Sequence, residues 1–440
     1  MFGAGWVGFI QGVIFAKEGC KITFVDVDAV KLNGLREGKC PFFEKGLEPL
    51  FKRMLAAGRL DFTTDLRAAV ESTDGAFVCV PTPAMEDGDT DLHMVQTVVK
   101  GVMKAAGKRE YPVVIKSTIP ADRFAEIEKM KRGKLSRVDF ASNPEFLAEG
   151  TAVADCEMPS RIVVGVREQG PALRLLDALY ERHRNGGRPY YVCQPEEAIL
   201  CKQMANVFLP VKISMANEAA LICEKLGMDA RQVLKMMGAD PRIGDKFLHP
   251  GPGYGGSCFP KDTKGYAAMA GRLGLTSFLA ETAIKTNDRQ RKHLVELMEE
   301  HNPAKETEFA GKRIAAWGLA FKKDTNDTRE SPAIDCIGQM LRMGACINAY
   351  DPEVRFYTGF QTDRFKTCAT AIEAVRGADY LAILTDWEEF VIQDWEEIHS
   401  AMRSPVIFDA RSILEPERMA ANGFIYYSIG RSTAWPPKRK

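Results

Sequence analysis

The 440-residue chain has no run of about 18 apolar residues, so no membrane-spanning helix is expected. It has no excess of charge: 59 basic residues balance 59 acidic ones, for a formal net charge of +0. That balance gives no electrostatic reason to bind nucleic acid or an acidic membrane. The terminal basic cluster, Lys438-Arg439-Lys440, reads as a solvated tail, and residues 435–440 are expected to be disordered. No signal peptide is expected ahead of the first motif. There are eleven cysteines but no CxxC spacing, which argues against zinc and against a disulfide framework. Reduced thiols and a cytoplasmic location are expected, with no metal.

What is present begins at the first residues. Gly3-Ala4-Gly5-Trp6-Val7-Gly8 fits G-x-G-x-x-G, and a helical stretch and the strand-like KITFVDVD follow it. In such a unit the glycines make the turn and admit a pyrophosphate, and an acid after the second strand bonds a ribose hydroxyl. Asp26 is that acid, and no arginine directly after it invites a 2′-phosphate, so NAD is expected. Only Met1 and Phe2 precede Gly3, so the buried strand that should hold this turn is expected to be missing. Further strands end at Thr82 and Thr118, where ligands of open parallel sheets collect. The long periodic stretch 196–227 predicts one helix joining two domains, with Pro210 kinking it or removing a backbone bond. Lys202 and Asn206 share one face of that helix, as a pair able to stabilise an alkoxide. After a polar linker near 302–312, a second strand–helix–strand series ends at Asp351 and echoes the first. The reading is α/β, with two Rossmann-like doubly wound domains joined by a long central helix. The boundaries are 1–195, 196–303 and 304–440. The second nucleotide frame lacks the glycine fingerprint and must bind by other means. Arg411, at a strand end, is placed to grip a diphosphate.

GPGYGGSCFPKD, residues 251–262, puts four glycines, Cys258, Lys261 and Asp262 into twelve positions. Glycine lets a ligand approach the backbone, and a helix beginning near Pro260 would favour a thiolate at Cys258. A buried structural thiol in a flexible turn is the bland alternative.

GGSCFPKD closely resembles the catalytic segment of the UDP-glucose/GDP-mannose dehydrogenase family. The resemblance continues in VPTP (80–83), KSTIP (116–120), NPEFLAEG (143–150) and FKKDTNDTRES (321–331), in the family's order. It implies an NAD-dependent, two-step oxidation of a nucleotide sugar's C6 alcohol, with UDP-glucose as the sugar and UDP-glucuronate, a polysaccharide precursor, as the product. GDP-mannose is the nearest alternative. A nucleotide-sugar-binding protein without catalysis is the second, given the expected loss of the first strand. By the same resemblance Cys258 is the nucleophile. Lys202, Asn206 and Asp262 handle the alkoxide and a water, and Glu145 and Thr118 assist proton transfer. Gly3, Gly5, Val7, Gly8, Asp26, Lys31, Thr82, Thr118, Glu149, Lys261 and Arg329 fall to the cofactor. Besides Glu145, Lys202 and Asn206, the substrate set is Phe146, Leu147, Arg242, Phe247, Leu248, Gly255, Lys322 and Arg411. Arg242 is implied to reach a neighbouring subunit, so a homodimer or larger homo-oligomer is expected.

Overall fold

A computed structural model describes residues 1–131, 137–300 and 309–437. Lys438-Arg439-Lys440 and residues 302–308 of the expected linker lie outside the described residues. The chain divides into two compact units: Met1–Ala205 with Lys264–Ser277, and Asn206–Thr263 with Phe278–Lys440.

In the first unit β1 (Ile22–Val25) pairs in parallel with β2 (Leu60–Thr63). A five-stranded stretch runs in the order β3 (Ala76–Val78), β4 (Glu110–Ile115), β5 (Arg137–Ser142), β6 (Ile162–Val166), β7 (Tyr190–Cys193). Only β5 and β6 pair antiparallel. These strands come from apolar runs such as YPVVI, buried from Tyr111 to Ile115, as parallel strands covered on both faces must be.

Among the described residues no regular strand stands ahead of Gly3. Met1 and Phe2 stand in its place, and Phe2 bridges in parallel to Val25 of β1 and to Val78 of β3. The Phe2 N–H donates to Phe77 O at 2.8 Å, and the Cys79 N–H donates to Phe2 O at 2.8 Å. The Gly3 N–H donates to Val25 O at 2.8 Å, and the Val25 N–H donates to Met1 O at 2.9 Å. The spatial order is therefore β2-β1-Phe2-β3-β4-β5, the 3-2-1-4-5-6 arrangement of dinucleotide-binding sheets. A run of two residues carries no periodicity for a sequence reading to find, yet its backbone groups pair like any others. Beyond Met1 a cavity of about 500 Å³ is lined by Phe15, Ile22, Thr23, Gly75, Phe77 and Leu175. The terminal amine donates to Thr23 O at 2.8 Å, and burial pulls its pKa down to about 6.

The second unit holds one six-stranded sheet, all parallel. Its members are β8 (Arg313–Trp317), β9 (Cys346–Tyr350), β10 (Phe365–Thr367), β11 (Tyr380–Ile383), β12 (Val406–Asp409) and β13 (Ile425–Ser428). Their order, β10-β9-β8-β11-β12-β13, is again 3-2-1-4-5-6. The echo heard in the sequence is thus a second frame of the same kind. Its core centres on Trp317, fully buried against Phe390 and Trp395. Asp351 follows β9 as Asp26 follows β1, but its carboxylate is spent inside the protein. Oδ2 accepts from the Leu319 N–H at 2.8 Å, the Ala320 N–H at 3.1 Å and the Trp387 indole at 3.1 Å. Oδ1 accepts from the Glu353 and Val354 N–H groups, each at 3.0 Å. No acceptor capacity is left over for a ribose hydroxyl, so a nucleotide here must be held differently.

The central helix, Pro195–Leu226, runs 32 residues. Pro210 lies inside it without ending it. Having no N–H, it leaves the Asn206 carbonyl without its usual helical donor. A 14-residue helix, Phe259–Arg272, starts directly after Cys258, and a 23-residue helix, Phe278–Glu300, follows it.

Candidate active site

The glycine turn of the first unit is closed by contact. A Cβ at Gly3 (φ +97°) would lie 2.6 Å from Cys79 O, and one at Gly8 would lie 2.2 Å from Gly3 O. Gly5 differs, because a Cβ there would meet nothing within 4 Å and would fill the open mouth of the turn. The helix Trp6–Lys17 begins at this mouth, with Val7 in its first turn and no acidic residue there to offset its positive end. An anionic pyrophosphate fits that mouth. Asp26 accepts from the Ala4 N–H at 2.9 Å, the Asp28 N–H at 3.0 Å and Lys31 Nζ at 2.9 Å. Burial works against its charge, but these donors outweigh burial and hold its pKa below the ordinary carboxylate value. Lys31 is thereby placed on Asp26. Thr82 and Thr118 meet beyond β3 and β4, the Thr82 hydroxyl donating to Thr118 O at 2.8 Å. The residues present therefore fit NAD.

The turn after β5 carries Glu145. Asn143 anchors it: Nδ2 donates to Val163 O at 2.9 Å, and Oδ1 accepts from Lys116 Nζ at 3.1 Å and Tyr180 Oη at 2.8 Å. Lys116 is deeply buried, and desolvation lowers its pKa. Glu145 Oε2 accepts from the Leu147 N–H at 2.6 Å, and Oε1 pairs with Lys202 Nζ at 2.6 Å. Both partners are almost fully buried, 6% and 4% exposed at the side chain. Phe146 is flanked by Arg161, 3.8 Å from its ring, and by Lys202 at 5.7 Å. Glu149 is half-buried on the same turn. A carboxylate and an ammonium this close, away from water, form a buried ion pair whose members each require the other.

In the second unit the thiol loop is pinned from behind. The Gly251 N–H donates to Asn217 Oδ1 at 2.8 Å, and Gly251 O accepts from Gln290 Nε2 at 2.8 Å. The Tyr254 N–H donates to Asn287 Oδ1 at 2.7 Å, and Tyr254 O accepts from Asn287 Nδ2 at 3.2 Å and Arg291 at 2.9 Å. A Cβ at Gly255 would sit 2.2 Å from Glu330 O, which explains that glycine. Cys258 lies just before the Phe259–Arg272 helix, with Ser257 Oγ 3.6 Å from its Sγ. That position is at the helix's positive end. Burial pushes Cys79 up to about 11 and Cys156 up to about 12, so those thiols stay protonated at neutral pH. One turn into the helix, buried Asp262 accepts from Asn206 Nδ2 at 2.6 Å and from Lys261 Nζ at 2.5 Å. Lys261, expected on the cofactor, is thus placed on Asp262. Lys202 and Asn206 lie one turn apart on the central helix, each bound to its own carboxylate.

The nucleotide-facing candidates are less gathered. Leu248 is buried, while Phe247 (φ +65°) is more open, with its ring 6.2 Å from that of Phe259. Arg242 is exposed and forks onto Asp240. Arg329 forks onto Asp327 in the same manner. Lys322 Nζ lies 5.6 Å from the Phe321 ring. Arg411 donates Nε to Leu384 O at 2.9 Å and Nη2 to Phe321 O at 2.7 Å. A two-pronged grip through its outer nitrogens would therefore require releasing Phe321. The residues missed by sequence reasoning are Asn217, Asn287, Gln290 and Arg291. Asn287, Gln290 and Arg291 offer one signal, polarity at i, i+3 and i+4 of one helix, where Asn287 and Gln290 are buried.

Comparison with known proteins agrees with this arrangement. Residues 1–184 match the NAD-binding domain of the UDP-glucose/GDP-mannose dehydrogenase family, 196–289 its central domain and 315–416 its UDP-binding domain. The UDP-glucose 6-dehydrogenase of Rhizobium meliloti (strain 1021) is 38% identical over 436 residues, covering 98% of this chain and 99% of that protein. The UDP-glucose 6-dehydrogenase of Pseudomonas aeruginosa PAO1 is 37% identical over 448 residues, covering 99% and 97%. The structure of a UDP-glucose dehydrogenase from Pyrobaculum islandicum superposes with a TM-score of 0.87 at 32% identity, covering 99% of this chain and 96% of that one. With two nucleotide frames, a glycine-seated thiol and three domain matches in one order, the chain belongs to the UDP-glucose/GDP-mannose dehydrogenase family.

Proposed function

We propose that this chain oxidises the C6 alcohol of UDP-glucose to the carboxylate of UDP-glucuronate, through an acyl group carried on Cys258. The observation that carries this reading is the central helix. It presents Lys202 and Asn206 one turn apart, the first bound to Glu145 and the second to Asp262, four residues beyond Cys258. NAD, bound at the Gly3–Gly8 turn and Asp26, supplies the hydride acceptor in both oxidations. Lys202 and Asn206 stabilise the alkoxide as the C6 hydroxyl loses its proton to a water held by Asp262. Loss of hydride from C6 gives the aldehyde. The Cys258 thiolate then adds to the carbonyl carbon, and the oxygen takes up a proton. This tetrahedral thiohemiacetal loses hydride from C6 and its hydroxyl proton to the water held by Asp262, a route that a planar aldehyde does not offer. The resulting thioester is attacked by water, whose proton passes to Glu145, with Thr118 assisting. The C–S bond breaks and the thiolate is restored. Glu149, Lys261 and Arg329 serve the cofactor. Phe146, Leu147, Phe247, Leu248, Gly255, Lys322 and Arg411 serve the sugar nucleotide. Residues 1–195, 196–303 and 304–440 are the cofactor, central and UDP-sugar segments of the working enzyme. Hydroxylamine added during turnover tests the acyl step. UDP-glucuronyl hydroxamate is expected, and its absence while the acid still forms would remove the thioester.

The working form is proposed to be a homodimer, with Arg242 serving the partner's site. On the central helix Phe208, Met215, Ile222 and Leu226 are 62%, 51%, 55% and 62% exposed at spacings of 7, 7 and 4, a single apolar stripe. A second copy covers such a stripe. Sedimentation should give twice the chain mass, and Phe208→Asp should lower it; a wild-type monomer at micromolar concentration would refute this. All eleven cysteines are free thiols, which suits a cytoplasmic, reducing setting.

A further inference from the structure

We infer that Arg291 is a positioning residue that ties the thiol loop to the loop carrying Lys322 and Arg329. Its Nη2 donates to two carbonyls at once: Tyr254 O at 2.9 Å, in the thiol loop, and Glu330 O at 2.9 Å, in the 321–331 loop. Its Nη1 bonds the Asp335 carboxylate, at the start of the helix that follows that second loop. The side chain is 12% exposed, so water competes little for these bonds. Glu330 holds a left-handed backbone, φ +50°, rare for a residue with a side chain. That conformation sits at the residue whose carbonyl Arg291 grips.

Independent contacts bring the same two loops together. The Gly256 N–H donates to Arg329 O at 3.2 Å. A Cβ at Gly256 would lie 2.8 Å from the Phe321 ring, and one at Gly255 would lie 2.2 Å from Glu330 O. Asn287, one turn earlier on the helix, and Gln290, the residue before Arg291, hold Tyr254 and Gly251. The thiol loop therefore has two supports. Asn287 and Gln290 fix its shape against one helix, and Arg291 also bonds the nucleotide-facing loop. A nucleotide diphosphate that engages Lys322 shifts or stiffens residues 321–331. Through Arg291 that change reaches Tyr254 and, four residues on, Cys258. The same arginine thus makes thiol placement depend on nucleotide occupancy.

The inference rests on Cys258 being the nucleophile, so its test must stand apart from turnover. The rate of Cys258 alkylation by iodoacetamide is measured by peptide mass, with and without saturating UDP, for wild type, Arg291→Met and Arg291→Lys. UDP is expected to change the wild-type rate by about threefold or more, since packed loops respond in discrete steps rather than smoothly. Both variants should lose that response while binding UDP within about threefold of wild type. Their kcat should fall about tenfold with KM little changed, the pattern of misplacement rather than lost binding. Lysine cannot hold two carbonyls in Nη2's geometry, yet it keeps the charge, so Arg291→Lys guards against a folding defect in Arg291→Met. An unchanged UDP response in folded Arg291→Lys, or no response in wild type, overturns the inference. If Cys258→Ser keeps full turnover while the alkylation response stands, the nucleophile reading fails and the coupling survives.

Discussion

Replacing Cys258 with serine is expected to abolish acid formation, by roughly a thousandfold or more, while sparing the first oxidation. The thiol sits ahead of a 14-residue helix, four residues before buried Asp262, which accepts from Asn206. A serine hydroxyl in the same position stays protonated at neutral pH and adds poorly to the aldehyde. The variant should accumulate aldehyde or trap it as a sluggish hemiacetal, visible as one equivalent of NADH in a rapid burst. Folding should be nearly unaffected, because the side chain is only partly buried and the change is close to isosteric. A variant that still makes UDP-glucuronate at the wild-type rate would end the thiol mechanism.

Replacing Lys202 with methionine should cost both stability and rate. The change leaves Glu145 buried, charged and without the cation 2.6 Å away. Breaking such a pair from one side typically costs about 3–5 kcal/mol. Neutralising both partners, Lys202→Met with Glu145→Gln, should recover much of that stability, because neither partner is then left charged without the other. Turnover should not recover with it, since alkoxide stabilisation and proton transfer are both gone. Denaturant titrations of the two variants give the stability difference, and quenched-flow assays give the rates. A single variant as stable as wild type would mean that water reaches Glu145. Recovered turnover in the double variant would make the pair a structural feature only.

The parts legible in the sequence were those carried by local pattern. The Gly3–Gly8 turn, Asp26, the thiol loop and the central helix follow from glycine spacing, period and punctuation within short windows. The second frame was legible as an echo of topology, since both series end on a strand followed by an acid. Contacts made across long separations were not legible. Met1 and Phe2 complete the first sheet through backbone bonds alone. Asp351 looks like Asp26 in sequence, but Trp387, 36 residues on, occupies its carboxylate. Arg411 looks like a diphosphate clamp, but Leu384 and Phe321 already hold two of its nitrogens. Asn287, Gln290 and Arg291 read as an ordinary polar helix face, because nothing local says that a glycine loop lies against them. Lys202 and Glu145 are 57 positions apart, so their pairing needed the folded chain.

The central claim is that one site oxidises the same carbon twice. Counting NADH formed per UDP-glucose consumed, at limiting sugar and excess NAD, tests it most directly. The account predicts two NADH per sugar, with UDP-glucuronate as the product. One NADH per sugar with accumulating aldehyde would contradict it.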